Sequence, residues 1–376
     1  MLAKLVFHPL GNADTTRIDL RDGRKLLVDY ADMRDPADRF DARIDLPAEL
    51  RRDLRASRRD FYHVVVFTHL DRDHTCGAGD FFWFDHAAAH QGEGRIKINE
   101  IWVPAGAITE TGTEACARLI RQEARHRLRK GYGVRVFSRP DALKGWLGAN
   151  GLTLEERAHL ITDAGRLVPG FSKEGPEGVE FFIHCPFGWR RNERDVEDRN
   201  QDSVVFQATF REGARDTRAL FTADMTWEGL RDIVRITRKH GNEARLHWDI
   251  MKLAHHCSYL SLAAEKGRDV TEPVEEVRWL FENAGRSRGI MVSSSDPIPA
   301  KGTPEDEDCQ PPHRQAANYY KGVRDGLDGE FAVTMERPNR AKPRVTEVEI
   351  GAAGAKLLSA SVPAAAAIAS TPVRAG

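Results

Sequence analysis

The stretch "FYHVVVFTHLDRDHTCG", residues 61 to 77, restricts the fold of this chain more than any other. The apolar run Val64 to Phe67 does not alternate, so it reads as a strand buried on both faces. Immediately after it the chain gathers His69, Asp71, Asp73 and His74. In an extended segment residues two apart share a face, so His69, Asp71 and Asp73 point into one pocket, and His74 joins them where the strand breaks into a turn. Carboxylates crowded at that spacing repel, and the nearest cation, Arg72, lies on the opposite face. A divalent cation is the simplest compensation. Imidazole and carboxylate are also the ligands of such cations, and catalytic sites collect three or more of them while leaving a position for water.

The rest of the chain alternates strands and helices, which predicts an α/β fold. The opening reads as a meander, "AKLVFHPL", "TTRIDL" and "RKLLVDYADM", separated by the turns "GNAD" and "RDG". A helix follows in "PAELRRDLRASRR", and after the histidine-rich strand come the strand "IKINEIWVPAG", a helix over residues 111–131 closed by Gly131, and the strand "VRVFS". A second group of strands, "VEFFIHCPF", "SVVFQATF", "RALFTADM", "HWDIMKLAHH" and "GIMVSSS", is spaced by helices near 227–239 and 259–285. Three of these strands end in further ligand types: His184, Asp224, and the pair His255 and His256. Each has a plainer alternative. A histidine after a strand is often only hydrogen-bonded, Asp224 would cap the helix of "MTWEGLRDI", and His255 and His256 point apart if the chain there is extended.

Opposite charges nearly cancel over the 376 residues (net charge −1), so no global field draws the chain to polyanions. No run of eighteen apolar residues occurs, and the N-terminus lacks a cleavable leader pattern, which leads us to expect a cytoplasmic protein. Five scattered cysteines without a CxxC pair argue for reduced thiols. One domain is expected over residues 1–350, and the Ala-rich segment 351–376 has little to bury and should be flexible.

"THLDRDHTCG" resembles the HxHxDH or HxDxDH signature of metallo-β-lactamase-fold hydrolases, and the order of later segments is similar to the hydrolase domain of DNA-uptake competence proteins. "LGNAD" stands for the "GQGD"-like turn, "VDYAD" for the strand ending in "DTG", "LFTADM" for "LLTGD" and "MKLAHHCS" for "LKVPHHGS"; "HCPF" and "NQDSVVF" fall between in the same order. The resemblance runs from about residue 3 to 325, interrupted by an insertion at about 86–178. It implies a four-layer αββα sandwich with two divalent cations at one edge. One would be held by His69, Asp71 and His184, the other by Asp73, His74 and one of His255 or His256, His256 being preferred, with Asp224 bridging. Zinc is the first expectation. Asp71, where many relatives have histidine, hardens the first site toward manganese, magnesium or iron. Cys257 and Ala223 replace glycines of the pattern.

The implied chemistry is hydrolysis by a hydroxide shared between the cations, most directly of a phosphodiester; a lactone, thioester or amide hydrolase and a non-catalytic metal-binding partner module are the alternatives. Asp73 would accept the water's proton. Lys252 would stabilise an anionic transition state unless it faces solvent, and His313 would contact substrate unless it merely starts a helix. Arg118, Arg121, Arg125 and Arg129 fall on one helical stripe, with Arg127 and Lys130 nearby, which is either a local polyanion contact or a solvated face. Arg190 and Arg191 lie in a charged loop suited to a lid.

Overall fold

Side-chain alternation decides the layers. In β4 (Phe61–Val66) Val64 and Val66 point into one core and Val65 into another. The same parity holds in β12 (Gly285–Ser293), where Ile290 and Val292 share the core of Val64 and Val66 while Met291 enters a third. Three apolar layers filled in this way require two sheets face to face with helices outside both. The computed structural model describes residues 2–111, 115–188 and 199–359, and it has this four-layer αββα arrangement, the architecture implied by the resemblance.

The first sheet contains β1 (Ala3–Phe7), β2 (Thr16–Asp19), β3 (Lys25–Val28), β4, β5 (Lys97–Pro104), β6 (Val134–Phe137), β7 (Ile161–Thr162), β14 (Thr346–Gly351) and β15 (Gly354–Leu357), in the order β15-β14-β1-β2-β3-β4-β5-β6-β7. Its meander half is antiparallel, and from β3 to β7 it is parallel. The second sheet is ordered β13-β12-β11-β10-β9-β8, from β8 (Val179–Cys185), β9 (Val205–Glu212), β10 (Arg215–Phe221), β11 (Trp248–Lys252), β12 and β13 (Glu330–Val333).

Helix α1 (Leu46–Ala56) shows how the outer layers form. Asp45 caps it by accepting from the Ala48 N–H, Pro47 sits in its first turn, and Leu46, Leu50 and Leu54 bury one stripe on the first sheet, each contributing about 2 kcal/mol. α2 (Ala115–Lys130) and α3 (Asp141–Ala149) share that layer. α4 (Trp227–Lys239), α5 (Glu275–Glu282) and α6 (Arg314–Leu327) cover the second sheet. Among the described residues no helix is long and apolar enough to cross a membrane.

Several expectations need correction. Within the 86–178 segment, the expected strands form as β5 and β6 and, with β7, continue the first sheet, with α2 and α3 packed on it. The helix expected at 259–285 shrinks to α5, because Gly267 approaches the Val270 carbonyl too closely for any Cβ and Pro273 stands just before the Val274 cap. The segment beyond 350 begins as the hairpin strand β15, turned at Gly354 with φ of 101°; residues 360–376, and the loop carrying Arg190 and Arg191, lie outside the described residues. The basic stripe does not form. Arg121 is buried and donates to the Glu110 carbonyl at 2.8 Å, Arg125 donates to the Ile108 carbonyl at 2.7 Å, and Arg118 and Arg129 are exposed. A peptide carbonyl deep beside a helix needs a donor, and arginine reaches it with its apolar stem still packed.

Candidate metal centre

Six strand ends meet at one edge of the sandwich. β4 leads into the loop of His69 and then a single helical turn, Arg72–Thr75, that carries Asp73 and His74. β10 leads to Asp224, β11 ends in Lys252 and runs on to His256, and β12 runs on to Ser294. From the meander, Asp14 lies two positions before β2 and Asp29 immediately follows β3. Backbone hydrogen bonds pin these ends together: the Asp14 N–H donates to the Asp73 carbonyl at 3.0 Å, Tyr30 to His74 at 3.1 Å and His255 to Ala223 at 3.1 Å.

The side chains then converge. Ligand atoms of Asp14, His74, Asp224 and His256, all buried, lie within 4.8 Å of one another. His74 Nε2 is 3.4 Å from Asp224 Oδ1 and 3.7 Å from Asp73 Oδ2; His256 Nε2 is 3.0 Å from Asp73 Oδ2 and 3.3 Å from Asp224 Oδ2. The far nitrogen of each imidazole is anchored. His74 Nδ1 lies 2.8 Å from Asp29 Oδ2, and His256 Nδ1 lies 2.7 Å from the Ser294 carbonyl. Asp29 in turn accepts from the Thr68 N–H and hydroxyl, both at 2.7 Å. This is how proteins hold metal-binding imidazoles, with the outer nitrogen on a carboxylate or carbonyl and the inner one turned to the cation.

Electrostatics support the same fit. Burial alone would lower the His256 pKa, but Asp224, Asp73 and Asp14 override it and push it up to about 10. His74 is likewise held well above its ordinary value, against burial, by Asp224, Asp29 and Asp73. Asp224 is driven well below the carboxylate range by these imidazoles despite its own burial. The enclosed carboxylates have one ammonium, Lys252, hydrogen-bonded to Asp14 and 4.0 Å from Asp224 Oδ1, and the imidazoles supply the rest by taking up protons. A divalent cation would provide that charge directly. His74 Nε2, Asp14 Oδ1 and Asp224 Oδ1 are meanwhile buried without a hydrogen bond, as atoms reserved for a cation would be.

Neither a protein-family model nor a curated protein matches the sequence. Among solved structures the chain is similar to a diphosphatase of the PhnP family, at 11% identity over 83% of this chain and 95% of that one, with a TM-score of 0.32. It is also similar to a B3 metallo-β-lactamase with an active-site glutamic acid, at 10% identity over 85% and 88%, with a TM-score of 0.29. Neither likeness is close enough to bring a residue role or a substrate to this chain.

The predicted site residues divide sharply. Asp73, His74, Asp224 and His256 come together, and Lys252, expected either near the substrate or in solvent, is buried at the floor on Asp14. Asp224 does not cap α4, whose first position follows Thr226. His69 lies against His74, ring centroids 4.0 Å apart and planes tilted by 48°, with its Nε2 3.7 Å from Asp71 Oδ2. His255 is half-buried beside the cluster, its ring 6.3 Å from that of His256, because residues 255, 256 and 257 are left-handed (φ 48°, 51° and 65°) rather than extended. His313 is buried at the cap of α6, its Nδ1 accepting from the Tyr259 N–H at 3.3 Å, so it does start a helix.

His184 is not brought in. Phe181 and Ile183 point into the sandwich, so Phe182 and His184 face α4, where His184 sits 3.2 Å from the Thr237 hydroxyl and 3.0 Å from the Arg245 carbonyl. Burial lowers its pKa to about 4, the opposite of His256. Asp71 also has a partner the local sequence concealed: Arg199, 128 positions away, donates to its Oδ1 at 2.7 Å. Sequence reasoning passed over Asp14 and Asp29 as site residues, although the turns "GNAD" and "VDYAD" contained the signal.

Proposed function

We propose that this chain is a metal-dependent hydrolase whose substrate is a phosphodiester. The observation that carries the reading is the convergence of His74, Asp224, His256 and Asp14, with His74 Nε2 and Asp224 Oδ1 buried without a hydrogen bond. A divalent cation held by these residues supplies Lewis acidity toward the substrate oxygen and acidifies a water. The protein's own groups do the rest. Asp29 and the Ser294 carbonyl hold the outer nitrogens of His74 and His256 and so turn the inner nitrogens toward the cation. Asp73, whose side chain is 31% exposed while Asp224 is at 3%, is the carboxylate that incoming water can reach and so the acceptor for its proton. Lys252 acts as a positioning residue, fixing Asp14 and Asp224 from below rather than touching substrate. His255, half-buried at the rim with Nδ1 unpaired, is the group placed to donate to a substrate oxygen, with His313 behind it.

The phosphodiester half of the proposal follows the sequence resemblance. Turnover of bis-p-nitrophenyl phosphate against a panel of esters, lactones and thioesters, with zinc and with manganese, tests it; preference for the carboxylic substrates moves the assignment to the second hydrolase class. Equal turnover by wild type and Asp224→Ala would refute hydrolysis at this centre. Metal retained without turnover of any substrate would leave the metal-binding partner module.

A further inference from the structure

We infer that the centre takes one divalent cation rather than two, and that the Arg199 guanidinium compensates Asp71 where the resemblance implies the other cation. This rests on the proposed metal-dependent reading and concerns its stoichiometry.

The first cation was to be held by His69, Asp71 and His184. His184 is committed elsewhere: its two ring nitrogens are used by Thr237 and the Arg245 carbonyl on the α4 side of the second sheet. Alternation through Phe181, Phe182 and Ile183 carries His184 to that side, and the ladder to β9 shifts register just there, so that Cys185 joins the same helix-side core. Asp71 is committed too. Arg199 donates through Nη1 to Asp71 Oδ1 at 2.7 Å and through Nε to Glu110 Oε2 at 2.8 Å, a charge-assisted pair of contacts on a part-buried side chain. The guanidinium therefore meets the need for positive charge that crowding otherwise assigns to a cation. What remains for that cation is His69 Nε2, an Asp71 oxygen 3.7 Å from it, and the bridging Asp224, and these three do not converge as a group: Asp224 gathers instead with Asp14, His74 and His256. Among the described residues a single group of converging ligands exists, that of Asp14, His74, Asp224 and His256.

The test is metal stoichiometry on the full chain, stripped by chelator, reloaded with zinc or manganese, and measured by elemental analysis and titration calorimetry, with manganese electron paramagnetic resonance as an independent readout. We expect one equivalent, an uncoupled manganese spectrum, and the same single equivalent with dissociation constant changed less than threefold in Asp71→Asn and His184→Gln. Two equivalents in wild type, with an exchange-coupled spectrum and loss of one of them in Asp71→Asn, would overturn the inference while leaving the hydrolase reading intact. No bound metal in folded wild type would overturn both. Wild-type stoichiometry alone is decisive, so misfolding of a variant does not blunt the result.

Discussion

His256 and His184 both belong to the strand ends of the second sheet, one just beyond β11 and one inside β8, both are buried, and they have opposite fates. His256 lies past the end of β11, where left-handed backbone frees it from the pleat and swings it over the edge of the sandwich toward Asp73 and Asp224. His184 is still within β8, so the pleat assigns it to the helix-facing side. Carboxylates surround the first and push its pKa up to about 10; apolar burial surrounds the second and takes it down to about 4. A histidine becomes available for chemistry here when the strand has ended. The same type of residue two or three positions earlier is a structural hydrogen-bonding group.

The largest expected effect lies on the His256 side. His256→Ala and Asp224→Ala should abolish metal retention and lower turnover by about a thousandfold or more, with circular dichroism showing whether the fold persists. Retained metal in either variant would erase the distinction between the two histidines. Asp29→Asn is the next step down. An amide has one acceptor oxygen, so it cannot serve both Thr68 and His74, and metal affinity measured by competition with a chelator should fall about 10- to 100-fold.

On the other side, His184→Gln should leave metal content and turnover within about twofold but change stability. Because the folded-state pKa of His184 lies near 4 against 6.5 for the free side chain, the unfolded chain binds the extra proton between those values. Its contribution is complete above pH 6.5 and is lost as pH falls toward 4, a change of about 3 kcal/mol. Denaturant unfolding from pH 7 to 4 should show a shallower decline in His184→Gln than in wild type; parallel curves would mean that His184 is not the buried neutral group described. The smallest effect concerns strain. Ala223, beside Asp224, holds φ of 47°, a left-handed conformation that costs an L-residue about 1 kcal/mol, and Ala223→Gly should raise unfolding stability by about that amount without altering metal content. A decrease would show that the buried methyl matters more than the backbone.

Much of the architecture was legible in one dimension. The meander, the buried run before His69, α4 over 227–239 and the two groups of strands follow from period and turn residues, because those signals are local. The strands β5 and β6 were legible too, but not the sheet they join, because a parallel strand carries no mark of its neighbours. The helix expected from residue 259 begins only at Glu275, beyond the turn in which Gly267 closes on the Val270 carbonyl and beyond Pro273.

For the site, residue types and strand ends written in the sequence were enough to nominate His69 to His74, Asp224 and the His255–His256 pair, since imidazoles and carboxylates crowded after buried strands need a common partner. What only the tertiary structure decided is which of them face one another. Pleat parity sent His184 to α4, three left-handed residues sent His256 rather than His255 inward, and the fold delivered Arg199 to Asp71 and Asp14 to Lys252 across hundreds of residues. Those outcomes depend on side-chain direction and on contacts between distant segments, and a string of residue types encodes neither locally.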